Sequence, residues 1–207
     1  MKHIKLNVKN KIIMVLGILI LILGISLIVF ELLINNRNLE KETIAIENYF
    51  INNSSFNDND LTKVNNPTNV QELKYNYIAV LEIPSINLKK GLVNIDNFYN
   101  NINYNVEIIK GSELPDVSNG NLVLAAHSGN SNISFFKNLY KLKTNNNIYI
   151  YYNNKIYTYK IFDEYQIDKT GQLKYLKENN KRIITLITCI PNTNKQLVKV
   201  GELVSIN

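Results

Sequence analysis

An uncharged apolar run near the amino terminus is the feature that most limits how this chain can fold. It extends from Ile12 to Phe30 and contains nineteen residues without a charge. At about 1.5 Å of rise per residue, a helix of that length is roughly 28 Å long, close to the hydrocarbon thickness of a bilayer. Because the run is apolar on every side, a core helix of a soluble domain is a poor fit. The run therefore predicts a transmembrane helix.

The charges on either side of the run predict its orientation. Four lysines lie in the first eleven residues, whereas the segment 31–42 mixes both signs of charge. By the positive-inside rule, residues 1–11 form a cytoplasmic tip and the chain from about residue 35 onward is extracellular. A cleaved signal peptide is the alternative, but it has a shorter apolar region and a small-residue cleavage site. FELLINNRNLEKE contains no such site, so residues 12–34 are interpreted as a retained single-pass signal anchor.

A polar segment separates the anchor from the rest of the chain. Residues 35–76 are rich in asparagine, as in FINNSSFNDNDLTKVNNPTNV. Residues 39–50 could line a short helix, but the composition is typical of a flexible extracytoplasmic stalk. The compact domain is therefore predicted to span residues 77–207.

The balance of charge does not predict nucleic-acid binding. The formal net charge is +6, and four of the basic residues belong to the cytoplasmic tip. No basic stripe with interleaved aromatic residues is found in the remainder of the sequence. Such a stripe is the usual footprint of a nucleic-acid-binding surface.

Residues 77–207 have the pattern of a mainly β domain. YIAVLEIPSI is a strand ended by Pro84, and NLVLAAHSG, RIITLITC and QLVKVGELVSI are further strands. Apolar and polar residues alternate along NIYIYYNNKIYTYKIFDEYQI, on both sides of Asn153 and Asn154. These two residues predict a tight hairpin turn, because asparagine tolerates positive φ. ISFFKNLYKL has helical spacing, and its apolar side chains are predicted to pack in the core. Six or more strands with one short helix predict a closed barrel or a sandwich.

The predicted outer domain contains one thiol, Cys189, and one imidazole, His127. Each follows an apolar run and is expected where a strand emerges into a loop. A lone cysteine or histidine is more often structural than catalytic. A single cysteine, however, cannot form an intramolecular disulfide. A nearby imidazolium would favour the thiolate, which is the nucleophilic form of the cysteine. The pair is too small a ligand set to predict a metal, and no cofactor is predicted. Ser128 lacks the G-x-S-x-G elbow of a serine nucleophile.

These residues resemble the sortases, the cysteine transpeptidases of the Gram-positive cell surface. The resemblance rests on the basic tip and anchor, YIAVLEIPSINL, the strand ending LVLAAHSGN and, about sixty residues later, TLITC. It implies a closed eight-stranded β-barrel with one or two short helices over residues 77–207. It also implies that segment 168–181 helps to shape a groove for the substrate.

The resemblance further implies a reaction and its partners. Sortases cleave an LPXTG-like signal near the C-terminus of a secreted protein, between Thr and Gly. Cys189 would form the thioester acyl-enzyme and His127 would protonate the departing glycine amine. An amine of a cell-wall precursor or a pilin subunit would then resolve the thioester.

One position departs from the family pattern. Sortases carry an arginine on the strand after the cysteine, and Gln196 of NKQLVK stands at that position here. Arg182 lies seven residues before Cys189 and is expected at the far end of the same strand, whereas Lys195 and Lys199 are out of phase with Gln196. The Gln196 amide is therefore predicted to donate a hydrogen bond to the substrate or the oxyanion, with Lys195 as the alternative.

Two other functions stay open at this point. The same thiol chemistry fits a cysteine peptidase or amidase that acts on wall peptides, and the domain could also be a weakly active sortase-like scaffold. Within the family, the chain ends without a second apolar span and segment 168–181 contains no clear long helix. These features favour a class A-like or class D-like member over class B or class C.

Overall fold

The computed structural model describes residues 8–54, 74–177 and 180–207. Helix α1 spans Val8–Ser54, and eight strands follow it. Their bounds are β1 Tyr77–Ile83, β2 Leu88–Val93, β3 Glu107–Ile108, β4 Asn121–Ala125, β5 Asn147–Tyr152, β6 Lys155–Asp168, β7 Ile183–Cys189 and β8 Lys195–Ile206. Two 3₁₀ turns, Pro84–Ile86 and Leu139–Lys141, lie between the strands.

Helix α1 contains the whole apolar run. Among the described residues it is the one helix long and apolar enough to cross a membrane, with a mean hydropathy of 3.3 over its most apolar window. It continues without a break to Ser54, so residues 35–54 of the predicted stalk are helical. Residues 55–73, the other part of the predicted flexible stalk, lie outside the described residues. The chain divides into two compact units between Lys41 and Glu42.

The end of helix α1 belongs to the same unit as the strands. Ile46 and Tyr49 are buried in a cluster with Val80 of strand β1. The Tyr49 hydroxyl donates a hydrogen bond of 3.0 Å to the carbonyl oxygen of Tyr151 in strand β5, and burial raises the pKa of Tyr49 to about 12. This last part of the helix is therefore a packed component of the domain.

The eight strands form one nearly closed barrel, which confirms the predicted fold. Their order is β2-β1-β5-β6-β8-β7-β4-β3, and every neighbouring pair is antiparallel except β4 and β7. Strands β2 and β3 are the two edges of this sheet. Asn105, just before β3, donates a side-chain hydrogen bond of 2.9 Å to the carbonyl oxygen of Gly91 in β2. This bond helps to bridge the gap between the edges.

The predicted hairpin is present between β5 and β6. Asn153 and Asn154 have φ values of 49° and 58°, the left-handed conformation that a two-residue type I′ turn requires at both positions. Strand pairing continues directly from the turn, with Tyr152 opposite Lys155.

The segment ISFFKNLYKL packs as predicted but does not form an α-helix. Phe136, Leu139 and Leu142 are fully buried in the main core. Their backbone forms turns and the 3₁₀ turn Leu139–Lys141. A spacing of three residues suits a 3₁₀ turn as well as an α-helix, and so short a helix is marginal without tertiary support.

Candidate active site

Strand pairing places Gln196 directly opposite Cys189. The two residues are partners in the antiparallel ladder of β7 and β8. Cross-strand partners direct their side chains to the same face of a sheet, with Cβ atoms about 4.5–5.5 Å apart. Both side chains are half-buried. The structure therefore brings the thiol and the amide together at one end of the barrel.

His127 lies beside this pair on the other side of β7. Strands β4 and β7 are parallel, and Ala125 pairs with Ile187. His127 is two residues after Ala125 and Cys189 is two residues after Ile187. Because side chains alternate with a period of two, both residues are on the same face as that pair and about equally far along the two chains. The two backbones remain hydrogen-bonded just past the end of β4, because the amide of Ala126 donates a hydrogen bond of 3.2 Å to the carbonyl oxygen of Ile187. Strands β8, β7 and β4 are consecutive in the sheet.

Asn103 is a residue of the site that sequence reasoning missed. Its Oδ1 lies 3.4 Å from Nε2 of His127, and the residue is exposed in the loop between β2 and β3. The only signal was its place in the asparagine-rich stretch 100–105, which composition alone explains. On its other side, the carbonyl oxygen of His127 accepts a hydrogen bond of 3.0 Å from the amide of Phe136.

The basic residues considered as substitutes for the family arginine lie elsewhere. The ladder between β7 and β8 is regular from Gln196 to Glu202. Lys195 and Lys199 are each an odd number of positions from Gln196 on β8, so both face away from it. Lys199 is buried in the barrel and donates hydrogen bonds to Glu164 and to the carbonyl oxygen of Leu142. Arg182 immediately precedes β7, at the end opposite Cys189.

A cavity of about 380 Å³ includes Gln196 in its lining, whereas Cys189 and His127 lie outside the lining. Its walls are mostly apolar, with Val123, Ala125, Ile167, Leu173, Leu176 and Ile187. Gln196 lines the end of the cavity nearer the thiol, and Asn121 lines the part farther from it. Ala125 and Asn121 are four residues apart on β4, which corresponds to about 13 Å. The cavity can therefore accept roughly four residues of an extended peptide.

The segment after β6 forms one wall of the cavity. Gly171, Leu173, Leu176 and Lys177 contribute to its lining. Lys177 Nζ lies 2.5 Å from Oε1 of Glu113 on the opposite wall, and the hydrogen bond from Lys177 lowers the pKa of Glu113. Asn121 adds a hydrogen bond of 3.0 Å to the carbonyl oxygen of Tyr175. These contacts hold the segment over the outer face of the strands.

The arrangement is suited to nucleophilic chemistry on a peptide. It combines a free thiol, an imidazole two residues past the end of the neighbouring strand, a side-chain amide opposite the thiol and a cavity for an extended chain. Within residues 8–54, 74–177 and 180–207, no group of three or more His, Cys, Asp or Glu residues could hold a metal ion.

Comparison with known proteins points to one family. The Sortase domain model matches residues 81–204. Sortase A of Bacillus anthracis is 26% identical over 160 residues, which are 76% of this chain and 73% of that protein.

Solved structures give the same result for the fold. Sortase C of Streptococcus pneumoniae superimposes with a TM-score of 0.57 at 20% identity, over 63% of this chain and 70% of that chain. Sortase C-1 of Actinomyces oris gives a TM-score of 0.57 at 26% identity, over 63% of this chain and 75% of that chain. Sortase A of Corynebacterium diphtheriae gives a TM-score of 0.55 at 24% identity, over 63% of this chain and 62% of that chain.

Proposed function

The chain belongs to the sortase family, and we propose that it is a membrane-anchored cysteine transpeptidase that cleaves an LPXTG-like sorting signal. The observation that supports the proposal is the pairing of Cys189 with Gln196 between β7 and β8, with His127 two residues past the end of the neighbouring strand β4. The partners are secreted proteins with such a signal and an amine of a cell-wall precursor or a pilin subunit. One related structure is described as a pilus-related sortase C of Group B Streptococcus.

The sorting signal would lie extended in the cavity, with its threonine carbonyl at Cys189. The thiolate sulfur forms a bond to the carbonyl carbon, and the carbonyl oxygen becomes an oxyanion. The bond from that carbon to the glycine nitrogen then breaks, and His127 gives its proton to the departing amine. The product is a thioester on Cys189. An incoming amine attacks the same carbon, loses a proton to His127 and releases the thiolate.

Gln196 would stabilise the oxyanion or hold the substrate. The pairing of Gln196 with Cys189 in the ladder of β7 and β8 supports this role, because cross-strand partners share one face of the sheet. A neutral donor forms a hydrogen bond about half as strong as a charged one, and an oxyanion donor contributes roughly 2.7–4 kcal/mol in well-studied enzymes.

Gln196→Ala is therefore expected to lower kcat at least about tenfold, equivalent to about 1.4 kcal/mol or more. Steady-state ligation of a fluorescent signal peptide measures the effect. Lys195→Ala is the matched control, because Lys195 is adjacent but exposed on the other face of the strand. A crippled Lys195→Ala beside a nearly normal Gln196→Ala would give the role to the lysine.

One assay separates the proposal from its alternatives. The full-length chain in detergent is incubated with an LPXTG-type peptide and an amine acceptor, and mass spectrometry follows the thioester and the ligated product. Transpeptidation predicts both species. Hydrolysis of wall peptides without ligation would indicate a cysteine peptidase or amidase. No acyl-enzyme with any sorting signal would indicate a scaffold.

The location of the domain is open to a direct test. Helix α1 and the four lysines before the apolar run indicate a single-pass protein with a cytoplasmic N-terminus and an extracellular catalytic domain. Protease added to intact protoplasts is expected to digest the domain, whereas a cytoplasmic marker protein survives. Recovery from the medium of a processed form without residues 1–30 would refute the retained anchor.

A further inference from the structure

Three aromatic rings form an exposed cluster on the loop between β2 and β3. The centroids of Phe98, Tyr99 and Tyr104 lie 5.3–5.5 Å apart. Phe98 is 69% exposed and Tyr104 is 44% exposed, although burying an aromatic ring is one of the larger hydrophobic gains available to a fold. We call residues 94–107, which comprise this loop and the first residue of β3, the aromatic loop.

The aromatic loop is held firmly on the barrel. The Asn100 amide donates 2.9 Å to the carbonyl oxygen of Ile108, and its Oδ1 accepts 2.7 Å from the amide of the same residue. Asn105 is buried and anchors the loop to Gly91 of β2. These hydrogen bonds fix the backbone that carries the three aromatic rings.

The same loop contacts the proposed acid–base residue. Asn103 lies between the aromatic residues in sequence, and its Oδ1 is 3.4 Å from Nε2 of His127. The cavity proposed for the sorting signal is lined instead by the segments 109–113 and 167–177 and by strand positions such as Ile187 and Gln196. The aromatic loop thus borders the site on a different side from the residues that line the signal cavity.

The charge of the aromatic loop favours a cationic ligand. Residues 94–107 contain two carboxylates, Asp96 and Glu107, and no lysine or arginine, in a chain with a formal net charge of +6. Glu107 is engaged with the backbone amide of Ile102, whereas Asp96 is exposed. Aromatic faces attract ammonium groups through their quadrupole, and a nearby carboxylate adds to that attraction.

We propose that the aromatic loop is the docking surface for the acceptor, and that the acceptor is a cationic peptide whose amine lies next to further positive charge. This rests on the proposed transpeptidase function. An ammonium held over Phe98 and Tyr104 would place a neighbouring amine near His127. That amine then forms a bond to the thioester carbon, the bond from carbon to sulfur breaks, and the proton passes to His127, which gave up its own proton during acylation.

A competition between two acceptors tests the docking surface. The full-length chain in detergent is given a sorting-signal peptide with equal concentrations of lysine amide and norleucine amide. These probes have the same chain length, but only lysine amide keeps a free ammonium after reaction. Mass spectrometry gives the ratio of the two ligated products. Lysine amide offers two amines and norleucine amide one, so the product ratio is first divided by two. The corrected ratio is expected to favour lysine amide about twofold to fivefold for each ring engaged.

The variants report whether the loop is responsible. Phe98→Leu keeps apolar bulk without the π face, and Asp96→Asn changes only an exposed charge, so each is expected to bring the ratio toward one. Tyr140→Ala is the matched control, because Tyr140 is 65% exposed and its ring lies 5.6 Å from Lys141 Nζ. It should keep the preference for lysine amide.

Three results would overturn the proposal. Equal use of the two amides by the unaltered chain would indicate a neutral or differently bound acceptor. A preference that survives in both loop variants would place the cation elsewhere. No ligated product with either amide, together with no acyl-enzyme, would refute the transpeptidase function itself, which distinguishes that failure from a failure of the docking surface alone.

Discussion

Replacing Cys189 with alanine is expected to abolish the thioester intermediate and all ligation of a sorting-signal peptide. Cys189 is the only cysteine in the chain, so no other thiol can take over as nucleophile. Its sulfur is free, and its strand position opposite Gln196 and level with His127 is the basis of the proposed site. Intact-protein mass spectrometry after incubation with the peptide measures the acyl-enzyme directly.

His127→Ala is expected to lower turnover at least about a hundredfold, the usual scale for loss of a positioned acid or base. Ser128→Ala is the matched control, because it changes the adjacent residue while the imidazole remains. Both variants should keep the circular dichroism of the unaltered protein. Near-normal ligation by Cys189→Ala or His127→Ala would remove that residue from the mechanism, and a loss in Ser128→Ala equal to that in His127→Ala would point to disruption of the loop.

Glu42→Gln is expected to destabilise the domain by about 3–5 kcal/mol, the cost of leaving a buried charge without its partner. Nζ of Lys90 lies 2.6 Å from each carboxylate oxygen of Glu42. The two side chains are only 10% and 16% exposed, and the Phe135 ring lies 4.0 Å from the ammonium. Burial lowers the pKa of Lys90, and the Glu42 carboxylate opposes that shift. The pair therefore fixes the end of helix α1 to strand β2.

Thermal unfolding of the detergent-solubilised chain would measure this effect. The protein contains thirteen tyrosines and no tryptophan, so near-ultraviolet circular dichroism of the tyrosines can follow the transition. Glu42→Leu combined with Lys90→Met should recover much of the loss, since apolar replacement of a buried ion pair is often neutral.

A neighbouring lysine supplies the control for the ion pair. Lys89 and Glu82 are 3.4 Å apart and 45% and 27% exposed, so Lys89→Met is expected to cost under about 1 kcal/mol. Equal losses at Lys89 and Lys90 would show that burial of the Glu42–Lys90 pair gives it no special importance. A Glu42→Gln variant as stable as the original protein would lead to the same conclusion.

Much of the fold follows from local patterns that physical chemistry makes reliable. Pro84 ends the first strand because it cannot donate to the ladder, and strand β1 does end at Ile83. Asn153 and Asn154 form the turn because they tolerate positive φ. Phe136 and Leu139 are buried as their spacing indicates, yet their backbone is not an α-helix, because the same spacing suits tighter turns.

The candidate site was predictable in its residue types but not in its assembly. The scarcity of thiol and imidazole groups singled out Cys189 and His127, and the departure from the family pattern singled out Gln196. That Gln196 lies opposite Cys189 depends on the register of β7 against β8, since a slip of one residue would turn it to the other face. Asn103 carries no local signal, because its contact with His127 joins residues 24 positions apart.

The sequence by itself determined the elements that depend on neighbours along the chain. These are the apolar helix, the strands with their alternating faces, the asparagine turn and the reactive residues at strand ends. Only the tertiary structure decided which strands lie side by side, that helix α1 runs on to Ser54, and that Glu42 meets Lys90. The physical reason is that side-chain periodicity shows which face of a segment is buried, whereas its partner is chosen by the packing of the whole domain.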